Sequence, residues 1–63
     1  MGPLEQDIVT LIRTRTAQTN RQIASWLQTT YDVSADSVKT TLWRLTRRGL
    51  LRRIQRGRYE VAR

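Results

Sequence analysis

The sequence predicts a mainly α domain with a small β-hairpin, in which three helices are followed by two short strands in a single domain. Two observations carry this prediction. Apolar residues recur at helical spacing in three separate stretches, and each stretch begins with a residue type that favours helix starts. After Gly49 the pattern changes to the alternation typical of strands, and Gly57 lies where a tight turn is needed. A chain of 63 residues has room for one such domain with a thin core.

Helix 1 is predicted over about residues 3–15. Pro3 suits the first helical position, because a proline has no N–H that would need a partner there. Glu5 and Asp7 follow near the positive end of the helix dipole. The core-facing stripe of this helix consists of Leu4, Ile8, Leu11 and Ile12.

Helix 2 is predicted over about residues 20–29. Thr19 and Gln22 have the spacing of a capping box, in which each side chain accepts from the backbone N–H of the other residue. Its apolar stripe consists of Ile23, Ala24 and Leu27, and we place Trp26 in the core at the margin of that stripe. The connection before this helix, residues 16–18, can add an edge strand to a sheet.

Helix 3 is predicted over about residues 35–48, with Ser34 as its N-cap. Its core stripe consists of Val38, Leu42 and Leu45. Gly49 suits the left-handed residue that ends a helix, and Leu50 can then fold back on Leu45 in a Schellman ending. A hairpin over about residues 50–62 follows, with its turn at 55–57 and with Tyr59 and Val61 on its inner face. A two-stranded hairpin is stable only when it packs on other elements, here the helices.

The charge is concentrated in the C-terminal part of the chain. Residues 1–38 have three basic and four acidic side chains, whereas residues 39–63 have nine basic side chains and one acid. An excess of positive charge at one end of the chain favours a polyanion as partner, with nucleic acid first and an anionic membrane surface second. The alternative is a basic face that is only solvated. Nearly all of these cations are arginines, which bind phosphate and guanine through two N–H groups at once.

Several function classes are disfavoured by residues that the sequence does not contain. There is no Cys and no His, so disulfides, thiolate or imidazole metal sites and Cys or His catalysis are excluded. No apolar run approaches the roughly 20 residues of a membrane span, and no signal peptide is evident at the N-terminus. We therefore expect no enzyme activity, catalytic residue, metal, cofactor or small-molecule substrate. The acids are scattered along the chain, at Glu5, Asp7, Asp32, Asp36 and Glu60.

The face of helix 3 opposite its core stripe is polar and basic, and the hairpin adds further arginines. A helix with such a face fits the major groove of B-DNA, and a basic ribbon beside it can reach phosphates or the neighbouring minor groove. On this face and in the hairpin, the predicted DNA contacts are Lys39, Thr40, Trp43, Arg44, Arg47, Arg52, Arg53, Arg56 and Arg58, with Ser37 at the margin. Asp36 either accepts from a cytosine amino group or only stabilises the helix start.

Short motifs over residues 21–59 resemble those of a known family of proteins. They are Ile23-Ala24 with Leu27, Val33-Ser34, Ser37-Val38, Leu42-Trp43-Arg44-Leu45, Arg48-Gly49-Leu50-Leu51 and Gly57-Arg58-Tyr59. With them the chain resembles the winged helix-turn-helix of bacterial repressors, especially the penicillinase-repressor and multiple-antibiotic-resistance-regulator groups. The resemblance implies DNA contacts from the third helix and phosphate contacts from the start of the second, at Ser37, Thr40, Thr41, Arg44, Thr19 and Asn20.

The expected partner is therefore double-stranded DNA, and the expected role is transcription regulation. The expected location is the bacterial cytoplasm, in association with the nucleoid, or another intracellular compartment that contains DNA. Repressors of this kind dimerise through helices outside the winged domain, and this chain has none. We therefore expect either a domain excised from a larger protein or a small protein that works differently, with a homodimer as one expected form. A protein-interaction or assembly module and an RNA or Z-form binder are the alternative functions. Trp43 leaves three roles open: packing against the hairpin or an N-terminal residue, stacking on nucleic acid, or a protein interface.

Overall fold

Helix α1 spans Pro3–Arg13 in the computed structural model, which describes residues 2–62. Met1 and Arg63, which the predicted domain 1–63 includes, lie outside the described residues. The backbone N–H of Gly2 donates to a carboxylate oxygen of Glu5 at 3.0 Å, so the first acid of the chain caps this helix. The buried side chains of the helix are Ile8, Val9 and Ile12.

The helix ends at Arg13, two residues before the predicted boundary, because Arg15 has a left-handed backbone with φ of 61°. The N–H groups of Arg15 and Thr16 turn back to the carbonyl oxygens of Ile12 and Leu11, at 3.1 and 3.0 Å. These bonds form a Schellman ending in which an arginine occupies the position that normally holds glycine. A side chain at this φ carries a steric cost that glycine does not.

Replacing Arg15 with glycine is therefore expected to stabilise the domain by about 1 kcal/mol, which raises the melting temperature by roughly 4–8 °C. Thermal unfolding followed by circular dichroism measures the change. Arg13→Gly removes the same charge two residues earlier, inside the helix, and is expected to destabilise by about 1 kcal/mol. A lower melting temperature for Arg15→Gly contradicts the prediction and means that the arginine side chain makes a contact stronger than its backbone strain.

Helix α2 spans Asn20–Gln28 and has the predicted capping box. The hydroxyl of Thr19 accepts from the N–H of Gln22 at 3.1 Å, and the side-chain oxygen of Gln22 accepts from the N–H groups of Thr19 and Gln18 at 3.3 and 3.0 Å. Three backbone N–H groups at the start of this helix, those of Gln18, Thr19 and Gln22, therefore have side-chain partners. Ile23 and Leu27 are the buried residues of this helix.

Helix α3 spans Ala35–Arg47, and both of its ends follow from local sequence. The hydroxyl of Ser34 accepts from the N–H of Ser37 at 3.1 Å, as an N-cap does. At the other end, Gly49 has φ of 82° and its N–H donates to the carbonyl of Thr46, while the N–H of Leu50 donates to the carbonyl of Leu45. This is the predicted Schellman ending, and it turns the chain sharply into the hairpin.

The hairpin consists of antiparallel strands β1, Leu51–Gln55, and β2, Arg58–Val61. Leu51 lies opposite Val61, and an irregularity between residues 53 and 55 leaves Ile54 without a partner in the ladder. Gly57 has φ of 74° in the turn. The inner face buries Leu51 and Tyr59, as a hairpin that packs on helices must.

The segment before α2 joins this hairpin. The N–H of Tyr59 donates to the carbonyl of Gln18, and the N–H of Asn20 donates to the carbonyl of Gly57, both at 2.9 Å. Thr19 and Arg58 form a single antiparallel bridge between these bonds. The expected edge strand at 16–18 is thus reduced to one bridge, one residue later, and the hairpin is fixed to the start of α2.

The core lies between the three helices and the inner face of the hairpin, which confirms the predicted fold class. One expectation about the core is wrong, because Trp26 is 53% exposed. The buried stripe of α2 is centred between Ile23 and Leu27, and Trp26 lies to one side of it, facing the edge next to α1. The fully buried core side chains of greatest volume are Ile8, Ile23, Val38, Leu42 and Leu45.

Tyr31, which follows α2, fastens the loop before α3 to the first helix. Its hydroxyl donates a short hydrogen bond to a carboxylate oxygen of Asp7. That hydrogen bond, with desolvation and the charge of Asp7 as smaller causes, raises the pKa of Tyr31 above its ordinary value of 10.0. The phenol is therefore neutral at physiological pH, and its partly buried ring packs against the core.

Candidate nucleic-acid interface

Helix α3 has one buried face and one exposed face. Successive residues are rotated by about 100°, so the residues about half a turn from the buried positions point away from the core. The buried face includes Val38, Leu42 and Leu45, none more than 1% exposed. The exposed side chains are Asp36, Ser37, Lys39, Thr40, Trp43, Arg44 and Arg47. The recognition surface, as we call this set, projects donors, hydroxyls and guanidinium groups into solvent.

Trp43 is 58% exposed at the centre of the recognition surface. The guanidinium carbon of Arg47, one helical turn further on, lies 4.9 Å from the centre of its ring. This distance is within the range of a cation–π contact. Trp43 is thus in contact with its own helix, while more than half of its surface is exposed.

Thr41 is the predicted contact that the helix turns inward. It is 8% exposed, and its hydroxyl donates to the carbonyl of Ser37 at 2.8 Å. Threonine commonly forms this bond to the residue four positions earlier in a helix. The Thr41 hydroxyl is thus already used within α3, and the side chain presents little surface to a ligand.

The arginines of the hairpin differ in how free their charges are. Arg52 lies opposite Glu60 in the ladder, and two of its nitrogens donate to one oxygen of that carboxylate at 2.9 and 2.6 Å. Arg53, Arg56 and Arg58 are exposed and make no ion pair within residues 2–62. Three unpaired guanidinium groups are therefore available on this ribbon, while Arg52 has a carboxylate that partly neutralises it.

The start of α2 lies beside these arginines because of the bonds between Gln18–Asn20 and Gly57–Tyr59. The Thr19 hydroxyl uses its oxygen for the N-cap, and its proton remains available to donate. The side-chain oxygen of Asn20 is buried and has no hydrogen-bond partner in the described chain. These residues and the hairpin turn form the clamp surface: Thr19, Asn20, Arg53, Arg56 and Arg58.

The geometry is thus an exposed polar helix flanked by a basic hairpin, on a scaffold of three helices. A sequence model described as Penicillinase repressor matches residues 1–61. The chain belongs to the penicillinase repressor family. No curated protein and no solved structure gave a match. Membership of this family makes the chain a DNA-binding domain of a transcriptional regulator, and the family is one of repressors rather than of enzymes.

The penicillinase repressor fold also places residues near the recognition surface that the sequence analysis did not select. A groove between α2 and α3 is lined by Arg21, Ser25 and Gln28 from one helix and by Lys39 from the other. The available signal was their spacing, since positions 21, 25 and 28 follow one helical stripe beside Ala24. Arg21 adds an exposed cation to the interface from the helix that precedes the recognition surface.

The described residues of this repressor-family domain form neither a metal-ligand cluster nor a membrane-spanning helix. No cluster of three or more acidic, His or Cys side chains that could hold a metal ion occurs within residues 2–62. None of the helices in that range has the length and apolar character that spanning a membrane requires.

Proposed function

We propose that this domain binds double-stranded DNA with α3 in the major groove and with the clamp surface on the phosphates. The observation that carries the proposal is the exposed face of α3, whose polar side chains stand opposite Val38, Leu42 and Leu45. A face held outward in this way can meet base edges without any change in the core. The family assignment supports DNA as the ligand.

The dimensions and chemistry of α3 suit base readout. An α-helix with its side chains is about 10–12 Å wide, and the major groove of B-DNA is about 12 Å wide. Thr40 and Arg44 are four residues apart and point to the same side, with Ser37 one turn before them. Hydroxyls can bond to several bases, whereas an arginine prefers guanine, so Arg44 is the strongest candidate for specific contact among these three. Thr41 is left out of the proposed contacts because it is buried.

The clamp surface suits phosphate contact better than penetration of the minor groove. The turn has two residues, Arg56 and Gly57, and the carbonyl of Gly57 is held by the N–H of Asn20. A turn tied to the body of the domain cannot extend far along DNA. The free guanidinium groups and the Thr19 hydroxyl are nevertheless well placed to bind phosphate oxygens.

The proposed assembly is a homodimer, or a larger protein that contains this domain, acting on DNA in the bacterial cytoplasm. The repressor family supports a dimer. Two copies related by a two-fold axis read half-sites one helical turn of DNA apart, or a multiple of it. A symmetric target sequence is the expected consequence.

A comparison of nucleic acids in mobility-shift assays tests the proposal. The domain is expected to bind duplex DNA more tightly than duplex RNA or single strands of the same length, because the deep and narrow major groove of RNA does not admit a helix. Equal binding to all of them contradicts major-groove reading. No binding to any of them favours a protein-interaction module instead.

Replacing Arg56 with alanine is expected to weaken binding to cognate and random duplexes by the same factor, because a phosphate contact carries no sequence information. The slope of log K against log salt is expected to become less steep by about 1. Fluorescence anisotropy titrations at several salt concentrations measure both quantities. The matched control is Arg13→Ala on α1, outside the proposed interface. A loss confined to A·T-rich flanks contradicts phosphate contact and indicates minor-groove insertion.

A further inference from the structure

We propose that Arg47 reads a guanine in the major groove and that Trp43 is the residue that positions it. This inference rests on the proposed binding of α3 to duplex DNA and adds a specificity determinant to it. Arg47 and Trp43 are a stacked pair on the recognition surface, with the guanidinium carbon 4.9 Å from the ring centre.

The pair lies where α3 is furthest from the core. Arg47 follows Val38 by nine residues, which is a rotation of half a turn around the helix axis. Val38 is buried, so Arg47 points directly outward. Trp43 precedes Arg47 by four residues and is its neighbour on the helix surface. A helix that enters a groove with this face forward brings the pair to the base edges.

A cation–π contact attracts the charge of the guanidinium group and does not use up its five N–H donors. Guanine presents two acceptors to the major groove, O6 and N7, at the spacing of an arginine fork. Within residues 2–62, Arg47 has no acidic partner that would compete for these donors.

Stacking also restricts a side chain that otherwise loses many rotamers when it binds. Because the ring of Trp43 holds the guanidinium before DNA arrives, less freedom is lost on contact. A lysine at position 47 keeps the charge but has neither the plane nor the fork. The tryptophan therefore acts through the arginine, and a smaller side chain at position 43 leaves the arginine loose.

Direct stacking of Trp43 on a base is the less favourable alternative. The faces of bases in a duplex are covered by their neighbours, and only the edges are accessible in a groove. One face of the indole is also already in contact with Arg47. Stacking on bases is typical of single strands, in which bases are open.

The test uses a duplex selected from a random library by the unaltered protein. Each guanine of that duplex is replaced in turn by 7-deazaguanine, which lacks the N7 acceptor. At the guanine that Arg47 reads, which is distinct from the one proposed for Arg44, the replacement is expected to weaken binding by roughly 5–100-fold, the usual discrimination of a bidentate contact. Inosine at the same position, which keeps O6 and N7, is expected to bind like guanine.

The variants then assign that discrimination to the pair. Arg47→Lys is expected to bind the duplex without distinguishing guanine from 7-deazaguanine. Trp43→Ala is expected to lose most of this discrimination. Trp43→Phe is expected to keep most of the discrimination, because an aromatic ring remains. Trp26→Ala is the matched control, since it removes the other exposed tryptophan, which is on α2. All these side chains are exposed, and equal melting temperatures verify that folding is unchanged.

Three results overturn the inference and are distinguishable from one another. If Arg47→Lys retains the discrimination, Arg47 does not read the guanine. If Trp43→Ala retains it, Trp43 does not position the arginine. If the unaltered protein binds no duplex, the proposed function itself fails and the inference fails with it.

Discussion

Replacing Leu42 with alanine is expected to remove a large part of the free energy of unfolding of the domain. Leu42 is fully buried, and a buried leucine replaced by alanine costs about 2–5 kcal/mol through lost contacts and the cavity left behind. A domain of 63 residues has a free energy of unfolding of about 3–9 kcal/mol, so this loss removes much of it. Thermal and denaturant unfolding, monitored by circular dichroism, measure the change.

Arg44→Ala, two residues further along the same helix, is the matched control and has the opposite expected result. An exposed helix position changes stability by no more than about 0.5 kcal/mol. Its affinity for a preferred duplex is expected to fall by about 1–3 kcal/mol, with a much smaller loss on random DNA. If Arg44→Ala unfolds the domain while Leu42→Ala has no effect, the faces of α3 are assigned in reverse.

A fourfold rise in salt is expected to lower the affinity for duplex DNA by roughly 10³–10⁴-fold. If about six to eight cations neutralise phosphates, the slope of log K against log salt is roughly −5 to −7, because each phosphate contact releases condensed counterions. The six candidates are Lys39, Arg52, Arg53, Arg56 and Arg58, with Arg21 from α2, since Arg44 and Arg47 are assigned to base edges. Titrations from low to moderate salt give the slope directly.

A slope near zero contradicts the proposed interface, because it means that few phosphates are contacted. The ion pair of Arg52 with Glu60 supplies an internal control. Arg52→Gln is expected to change the slope less than Arg53→Gln, since a guanidinium that already faces a carboxylate releases fewer counterions on binding. Equal changes mean that the pair opens when DNA binds.

The parts of the fold that depend on nearby residues could be predicted from the sequence. The caps at Thr19 and Ser34 and the helix ending at Gly49 each involve bonds across three to five residues. The three helices and the hairpin follow from such signals together with apolar periodicity. The family resemblance rested on the same residues, and the family assignment confirms it.

The features that depend on packing between distant segments could not be predicted. Trp26 was assigned to the core by its apolar character, but a domain of this size has too little interior for a ring at the margin of the stripe. The register of the hairpin places Glu60 opposite Arg52 and neutralises one predicted contact. The burial of Thr41, by contrast, follows from helical spacing, since it lies three residues after Val38 and four before Leu45; the family resemblance alone assigned it to DNA.

The bonds between Asn20 and Gly57 and between Tyr59 and Gln18 fix how far apart the hairpin turn and the start of α2 lie. In the proposed complex, this fixed spacing favours duplexes whose backbone has the matching shape or adopts it at low energy. That energy depends on how stiff the base steps between the contacted phosphates are. Under the proposed function, base pairs that the domain does not touch therefore influence where it binds.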